Sequence, residues 1–144
     1  ATLTIAGMAS DQPFLKELET FKKKDDRINI VGFMNSQDFY KQVDIVVIPS
    51  VWPDTFPTVA FEACANNVPV LCSRIGGLPE IVKQDVNGML FKPGDVKELT
   101  DILNGLTPQV LNIWKANARN SVREMIDPNG MFDKLEIIIK ETVS

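Results

Sequence analysis

The segment DIVVIPSVWPDTFPTVAFEACANNVPVLCS, Asp44 to Ser73, decides the fold. An aliphatic run ends at Pro49-Ser50, a proline-rich loop follows, and a second aliphatic run ends at Ser73. The residues between them, Pro57–Asn67, have the pattern of a short helix that starts with a proline. Two strands joined by one helix form a βαβ unit, in which the strands are parallel and the crossover is right-handed.

The same alternation of strand and helix runs along the whole chain. The predicted strands are Thr2–Gly7, Ile28–Val31, Asp44–Pro49, Val68–Ser73 and Gly88–Phe91. The predicted helices are Asp11–Lys24, Ser36–Val43 with Ser36 as its N-cap, Pro57–Asn67, Leu78–Lys83, Val96–Asn104, Pro108–Glu124 and Gly130–Val143. The strands are nearly continuous aliphatic runs, which is typical of parallel strands covered on both faces. These patterns predict an α/β fold, a Rossmann-like doubly wound parallel sheet with C-terminal helices.

Composition and charge restrict the class of function. The 144 residues suit one globular domain, and a net charge of −4 argues against a nucleic-acid groove, which needs clustered Lys and Arg. No apolar run reaches the roughly 18 residues of a membrane-spanning helix. The chain has no histidine, which excludes Ser-His or Cys-His catalysis and most zinc sites within it. Cys64 and Cys72 lie in apolar sequence without metal-type spacing, so we expect buried, reduced thiols in a cytoplasmic protein.

The start of the helix at Pro57 is the predicted binding site. Proline suits the first helical position, which leaves the N–H groups of Thr58 and Val59 directed toward the carboxyl ends of the strands, where such sheets bind ligands. Free donors and the helix dipole favour a phosphate there. Glu62 follows about a turn later, where a carboxylate could accept two ribose hydroxyls, and Asp54 precedes the helix, near a sugar joined to that phosphate. In the structural alternative, Glu62 only complements the helix dipole and Asp54 only caps a turn.

Glycines mark other loops that leave the predicted strands. Gly7 follows the first strand, but the G-x-G-x-x-G fingerprint is absent, which argues against a nicotinamide-binding domain. Gly7 and the pair Gly76-Gly77 each have two interpretations, a tight turn or a close approach of the backbone to a ligand. Asn87-Gly88 is predicted to form a turn, and we assign it no function.

A set of short motifs stands in a characteristic order over nearly the whole chain. The motifs are Pro49-Ser50, Trp52, Asp54-x-Phe56-Pro57, Glu62-Ala63, Pro69-Val70, Gly76-Gly77, Glu80, Asn87-Gly88 and Pro93-Gly94-Asp95. Their order and spacing resemble the C-terminal, donor-binding domain of the GT-B glycosyltransferases of family 4, the retaining glycosyl transferases group 1. No single motif is diagnostic, whereas the set is specific.

The resemblance implies roles for individual residues. The family's E-x7-E motif falls on Asp54 and Glu62, which are the expected catalytic residues. Glu62 would hold the ribose hydroxyls of the nucleotide, and Asp54, one methylene shorter than the family's glutamate, would meet the donor sugar. The residues expected to bind the donor nucleotide-sugar are Gly7, Gly32, Phe33 and Met34, the last three near the base, then Phe56, Pro57, Thr58 and Val59 near sugar and phosphate, together with Glu62.

The resemblance also implies a reaction and its partners. We expect a retaining hexosyltransferase that takes a nucleotide-diphospho-sugar as donor and needs no metal ion or other cofactor. A glycan or lipid-linked acceptor would bind to an N-terminal domain, through which the enzyme could also associate with the inner face of the membrane; no nucleic acid is expected.

We expect residues 1–144 to be a fragment of that enzyme, because the chain begins directly on a core strand without an initiator methionine. The N-terminal domain, the first strand of this domain and the family's Arg and Lys for the diphosphate would lie upstream, so the fragment alone should be inactive. The remaining candidates for contact with phosphate are Lys16, Arg27 and Arg74, and of these only Arg74 lies near a strand's carboxyl end.

Two other functions stay open. A non-catalytic GT-B-like binding or scaffolding module would keep the fold with a decayed donor site, and the aspartate at position 54 supports it. A phosphorylase or a nucleotide-sugar epimerase could share the fold. It would be expected to use a basic or histidine residue poised in this half, which the sequence does not offer.

Overall fold

The structure, a computed structural model, describes residues 1–8 and 11–126. The chain divides into two compact units, Ala1–Gln42 and Val43–Ser144, and each unit has its own parallel sheet. The helix predicted over Gly130–Val143 lies outside the described residues. Among the described residues, none of the helices is both long and apolar enough to cross a bilayer.

The first unit is a βαβ arrangement followed by a short helix. Its elements are β1 (Leu3–Ala6), α1 (Gln12–Lys24), β2 (Ile28–Gly32) and α2 (Ser36–Tyr40). β1 and β2 pair in parallel. Asp11 caps α1, because its carboxylate accepts a hydrogen bond from the N–H of Phe14 at 3.2 Å. Burial is modest in this unit, since no residue of α1 is fully buried and Leu3 and Phe21 are each 50% exposed.

The N-cap of α2 differs from the prediction. Ser36 was expected to cap this helix, but it is the first helical residue, and the Asn35 side chain accepts a hydrogen bond from the N–H of Gln37 at 3.0 Å. Asn and Ser are about equally good caps. When two such residues are adjacent, the sequence alone does not decide between them.

The second unit contains a three-stranded parallel sheet with helices packed on it. Its elements are β3 (Val46–Ile48), α3 (Thr58–Ala65), β4 (Val70–Ser73), α4 (Leu78–Ile81), β5 (Gly88–Phe91), α5 (Val96–Gly105), α6 (Pro108–Ser121) and α7 (Arg123–Ile126). The strand order is β3-β4-β5, with β4 in the centre and all four of its residues buried. Leu71, Phe91 and Trp114 form a core cluster, against which apolar residues of α5 and α6 pack.

The predicted α/β class with parallel strands is confirmed, whereas two further details are wrong. The expectation that all strands are covered on both faces holds for β4 but not for β1, whose residues Leu3 and Ala6 are exposed. The helix predicted over Pro108–Glu124 is interrupted, since α6 ends at Ser121 and α7 begins at Arg123. Val122 between them leaves the helical conformation, with φ −112° and ψ 4°, and its side chain is fully buried in the core.

Candidate functional site

The loop between β3 and α3, residues 49–57, is held against the loop that follows β4. The N–H of Gly77 donates to the carbonyl of Asp54 at 2.7 Å. A Cβ at Gly76 would overlap the Asp54 backbone, and a Cβ at Gly77 would overlap the carbonyl of Thr55. Gly76 also adopts a φ of +56°, which favours glycine. The paired glycines therefore allow two loops to pack tightly, and this packing fixes the loop that carries Asp54.

The Asp54 carboxylate is exposed and caps a turn. Its Oδ1 accepts a hydrogen bond from the N–H of Phe56 at 3.0 Å, which is an Asx-turn. The structural role that the sequence left open is therefore present. Oδ2 makes no hydrogen bond to any residue that the structure describes. This second oxygen is available to a ligand.

The start of α3 differs by one residue from the prediction. Pro57, expected at the first helical position, is the N-cap with ψ 90°, and Thr58 is the first helical residue. Proline has no side-chain acceptor, so this helix start has no side-chain cap bond. The N–H of Ala60 donates to the Pro57 carbonyl at 3.0 Å, whereas the N–H of Thr58 has no acceptor among residues 1–8 and 11–126. An uncapped helix start of this kind attracts anions.

Glu62 lies on the same face of α3 as Thr58. The two residues are four positions apart, which places their side chains next to each other on a helix. Ala60, Ala63 and Cys64 form the buried part of the helix, and the Glu62 side chain is half-buried. Within the described part of the chain, that carboxylate has no hydrogen-bond donor or cation as partner. A partly desolvated carboxylate without a donor is suited to a ligand with hydroxyl groups.

Two thiols, one on the buried face of α3 and one in β4, take no part in the chemistry. Cys64 and Cys72 are fully buried and free, as predicted. Burial raises the pKa of each thiol to about 12, and the charge of Arg74 only partly offsets this effect on the pKa of Cys72. At neutral pH both remain protonated, so neither is a nucleophile.

In the first unit, the residues expected near the base lie at the carboxyl ends of β1 and β2. The N–H of Gly7 donates to the carbonyl of Gly32 at 2.8 Å, so the two predicted glycines are neighbours. Phe33 is 78% exposed, and Met34 is half-buried. Met8, which is not among the predicted binding residues, follows Gly7 directly and is 83% exposed. Its position two residues after the end of β1 is the sequence signal for a residue at this edge of the sheet.

Two arginines that lie next to strands differ in whether an acidic side chain pairs with them. The guanidinium of Arg27 binds the carboxylate of Asp25 through Nε at 2.9 Å and through a terminal nitrogen at 2.6 Å, and this pair lowers the pKa of Asp25 to about 2. Arg74 follows β4, is exposed, and forms no ion pair with a described residue. Within the described ranges, no group of three or more His, Cys, Asp or Glu residues is arranged to hold a metal ion.

A groove of about 670 Å³ lies elsewhere, along α5. Apolar residues such as Met89 and Trp114 line its floor, and acidic residues including Asp95 and Asp101 lie among its lining. None of the residues predicted to bind a ligand lines this groove. We therefore keep the candidate site at the start of α3, where the convergent polar groups are.

Comparison with known proteins defines the class. Residues 1–120 match the family "Glycosyl transferases group 1", and the chain belongs to this family. The resemblance predicted from the motifs is thus confirmed. An uncharacterized glycosyltransferase of Methanocaldococcus jannaschii, MJ1607, is 36% identical in an alignment that covers all of this chain and 36% of that protein.

Solved structures show the same fold. Alr3699/HepE of Anabaena in complex with UDP-glucose is 28% identical with a TM-score of 0.76, over 85% of this chain and 36% of that one. The C-terminal domain of the group 1 family protein LpcC of Francisella tularensis is 29% identical with a TM-score of 0.76, over 88% of this chain and 70% of that one. The chain spans 26% to 36% of the length of three curated relatives that it matches.

Proposed function

We propose that the protein is the donor-binding half of a retaining glycosyltransferase, which transfers a hexosyl unit from a nucleotide-diphospho-sugar to a glycan or lipid-linked acceptor. In this reaction the bond from the anomeric carbon to the diphosphate breaks, and the acceptor attacks the same face of an oxocarbenium-like sugar. The reaction uses no metal ion. The enzyme is cytoplasmic, and its acceptor domain lies upstream of this chain.

The proposal gives each part of the site one task. Glu62 accepts hydrogen bonds from the two ribose hydroxyls, and Asp54 uses its Oδ2 atom to bind a hydroxyl of the donor sugar. The start of α3 stabilises the departing diphosphate, because its backbone donor is fixed before the reaction begins.

The observation that carries the proposal is the fixed geometry at the start of α3. There, an uncapped helix start follows a loop that is held by the hydrogen bond from the Gly77 N–H to the Asp54 carbonyl. Glu62 is half-buried on the same helix, one turn after Thr58. A nucleotide-diphospho-sugar has an anionic diphosphate between two groups that carry hydroxyls, the ribose and the sugar. The site has the same order, because the anion-binding start of α3 lies between Asp54 and Glu62 along the chain. The likeness to a protein solved with UDP-glucose supports the same class of donor.

One observation favours a second candidate, a non-catalytic binding module with this fold. Asp54 already has a structural task in the turn to Phe56, and such a task would keep an aspartate in place without any catalysis. The two candidates predict different effects on sugar transfer when Asp54 or Glu62 is replaced by its amide.

The test uses the full-length protein and three variants. Glu62→Gln keeps the shape but removes charge from two hydrogen bonds, each of which contributes roughly 1.5–3 kcal/mol, so UDP affinity should fall at least about tenfold. Asp54→Asn retains the acceptor oxygen of the Asx-turn, so it should spare UDP affinity and depress sugar transfer. Asp54→Glu restores the family's longer reach and should raise the rate or shift sugar preference. Calorimetry with UDP and a coupled assay of UDP release measure both quantities.

Glu80→Gln is the matched control, since Glu80 is exposed in the first turn of α4. It removes the same charge outside the proposed site, so it should change neither the UDP affinity nor the rate of sugar transfer. Equal, small effects of Glu62→Gln and Glu80→Gln would refute the proposed ribose contact. Intact nucleotide binding without transfer in the wild type, over a panel of nucleotide-sugars and acceptors, would favour the non-catalytic module.

A further inference from the structure

Arg74 begins the loop that follows β4, at the carboxyl edge of the sheet in the second unit. Its N–H donates to the carbonyl of Phe91 at 2.7 Å, and this bond extends the pairing of β4 with β5 by one residue. Two residues later, Gly76 packs so closely on the Asp54 backbone that a Cβ would overlap it. The backbone of Arg74 is therefore fixed beside the loop that leads to α3.

The alternation of side chains along β4 indicates the face of the sheet on which Arg74 lies. Leu71 packs with Trp114 of α6 in the core cluster, and residues of odd and even number point to opposite faces of a strand. Cys72 and Arg74 therefore belong to the other face. Burial raises the pKa of Cys72, the Cys64 thiol of α3 raises it further, and the charge of Arg74 lowers it. Both groups are thus near Cys72, which is the face that carries α3.

The other groups of the proposed site do not balance the charge of a diphosphate. Asp54 and Glu62 are carboxylates, and residues 49–57 contain no Lys or Arg. The helix start between the two carboxylates offers only roughly half of an elementary positive charge. A nucleoside diphosphate is strongly anionic at neutral pH, so the two carboxylates would repel it unless a cation lies close by. The site therefore requires a positive side chain.

Arg74 has the properties of that cation. Its side chain is exposed, and it forms no ion pair with any residue that the structure describes. A guanidinium presents paired N–H donors that match two oxygens of a phosphate. Lys92 is also exposed and directly follows β5, but β5 is separated by β4 from β3, the strand that leads to α3.

We propose that the Arg74 guanidinium binds the diphosphate of the donor nucleotide and is a further ligand-binding residue of this site. The inference rests on the proposed function and adds a cation from within this chain to the Arg and Lys expected upstream. The guanidinium and the backbone donor at the start of α3 together stabilise the negative charge that collects on the diphosphate as the sugar leaves.

The test compares ligands with and without phosphates in the full-length protein. Calorimetry with UDP, GDP and ADP first identifies the preferred base, and that diphosphate and its nucleoside are then the two probes. Arg74→Gln should weaken binding of the diphosphate by at least about tenfold, because a charge-assisted contact is lost. Binding of the nucleoside, followed by saturation-transfer NMR, should not change. Arg74→Lys keeps the charge and should lose less affinity for the diphosphate than Arg74→Gln does.

Lys92→Gln is the matched control, because it removes an exposed cation at the same edge of the sheet and should leave both affinities unchanged. The inference is overturned if Arg74→Gln leaves diphosphate affinity unchanged, if Lys92→Gln weakens it equally, or if the nucleoside loses as much affinity as the diphosphate. In each of these cases, diphosphate binding by the wild type still supports the proposed function. If the wild type binds none of the three diphosphates, the proposed function and the inference are both overturned.

Discussion

At the scale of single residues, Asn87 shows how a turn residue can become the centre of a polar cluster. Its side chain is fully buried. Oδ1 accepts from the N–H of Lys83 at 2.7 Å, and Nδ2 donates to the carbonyl of Ile81 at 3.0 Å and to the hydroxyl of Ser121 at 2.6 Å. These bonds connect α4, the turn before β5 and the end of α6. A buried amide with all its groups satisfied fixes the relative positions of such elements.

Replacing this amide by its isostere should be costly. In Asn87→Asp a carboxylate replaces the amide donor, so the carbonyl of Ile81 loses its partner and a charge or an unmatched hydroxyl is buried. We expect a loss of about 2–4 kcal/mol in the free energy of unfolding, measured by urea denaturation. Asn104→Asp is the control, because Asn104 also precedes a glycine but is exposed at the end of α5, and it should cost less than about 1 kcal/mol. Similar losses in both variants would mean that the buried bonds of Asn87 contribute little.

At the scale of elements, the contact between the loops after β3 and β4 should require that residue 76 has no side chain. Gly76→Ala introduces both an unfavourable positive φ and a clash with the Asp54 backbone, so we expect a loss of at least about 2 kcal/mol in unfolding free energy. Gly94→Ala is the matched control, because Gly94 has a φ of +75° but open space around it, and only the conformational cost of about 1 kcal/mol remains. Thermal unfolding of both variants measures the difference. Equal losses would show that the loops can move apart without cost.

Helix α3 and the loops beside it show how much of the site the sequence predicts. The start of α3 was predicted within one residue, because the helix was recognisable from Pro57 onward. The face shared by Thr58 and Glu62 follows from helical periodicity once that start is known. The turn role of Asp54 was foreseen only as an alternative. The need for glycine at positions 76 and 77 could not be decided, because it comes from a loop about twenty residues earlier in the chain. Asn87 was missed for the same reason, since its partner Ser121 is 34 residues away and pairing at that distance leaves no local pattern.

At the scale of the whole molecule, the two units differ in how much of their sheets they bury. The four residues of β4 are all buried, whereas β2 alternates between half-buried and exposed residues and no residue of α1 is buried. Local opening costs little where few apolar contacts are lost. We therefore expect backbone amides of Ile28–Gly32 to exchange with solvent at least about a hundredfold faster than those of Val70–Ser73 in native-state hydrogen exchange.

An edge strand of the second unit provides the control for this expectation. Among residues 1–8 and 11–126, β2 has one strand partner and β4 has two, so the number of partners could by itself explain a difference in exchange. β5 separates the two causes, because among the described residues it pairs in a ladder only with β4, yet three of its four residues are buried. If burial decides protection, the amides of Gly88–Phe91 should exchange almost as slowly as those of β4. Exchange of β5 as fast as that of β2 would instead attribute the difference to edge position, and the two units would then have similar local stability.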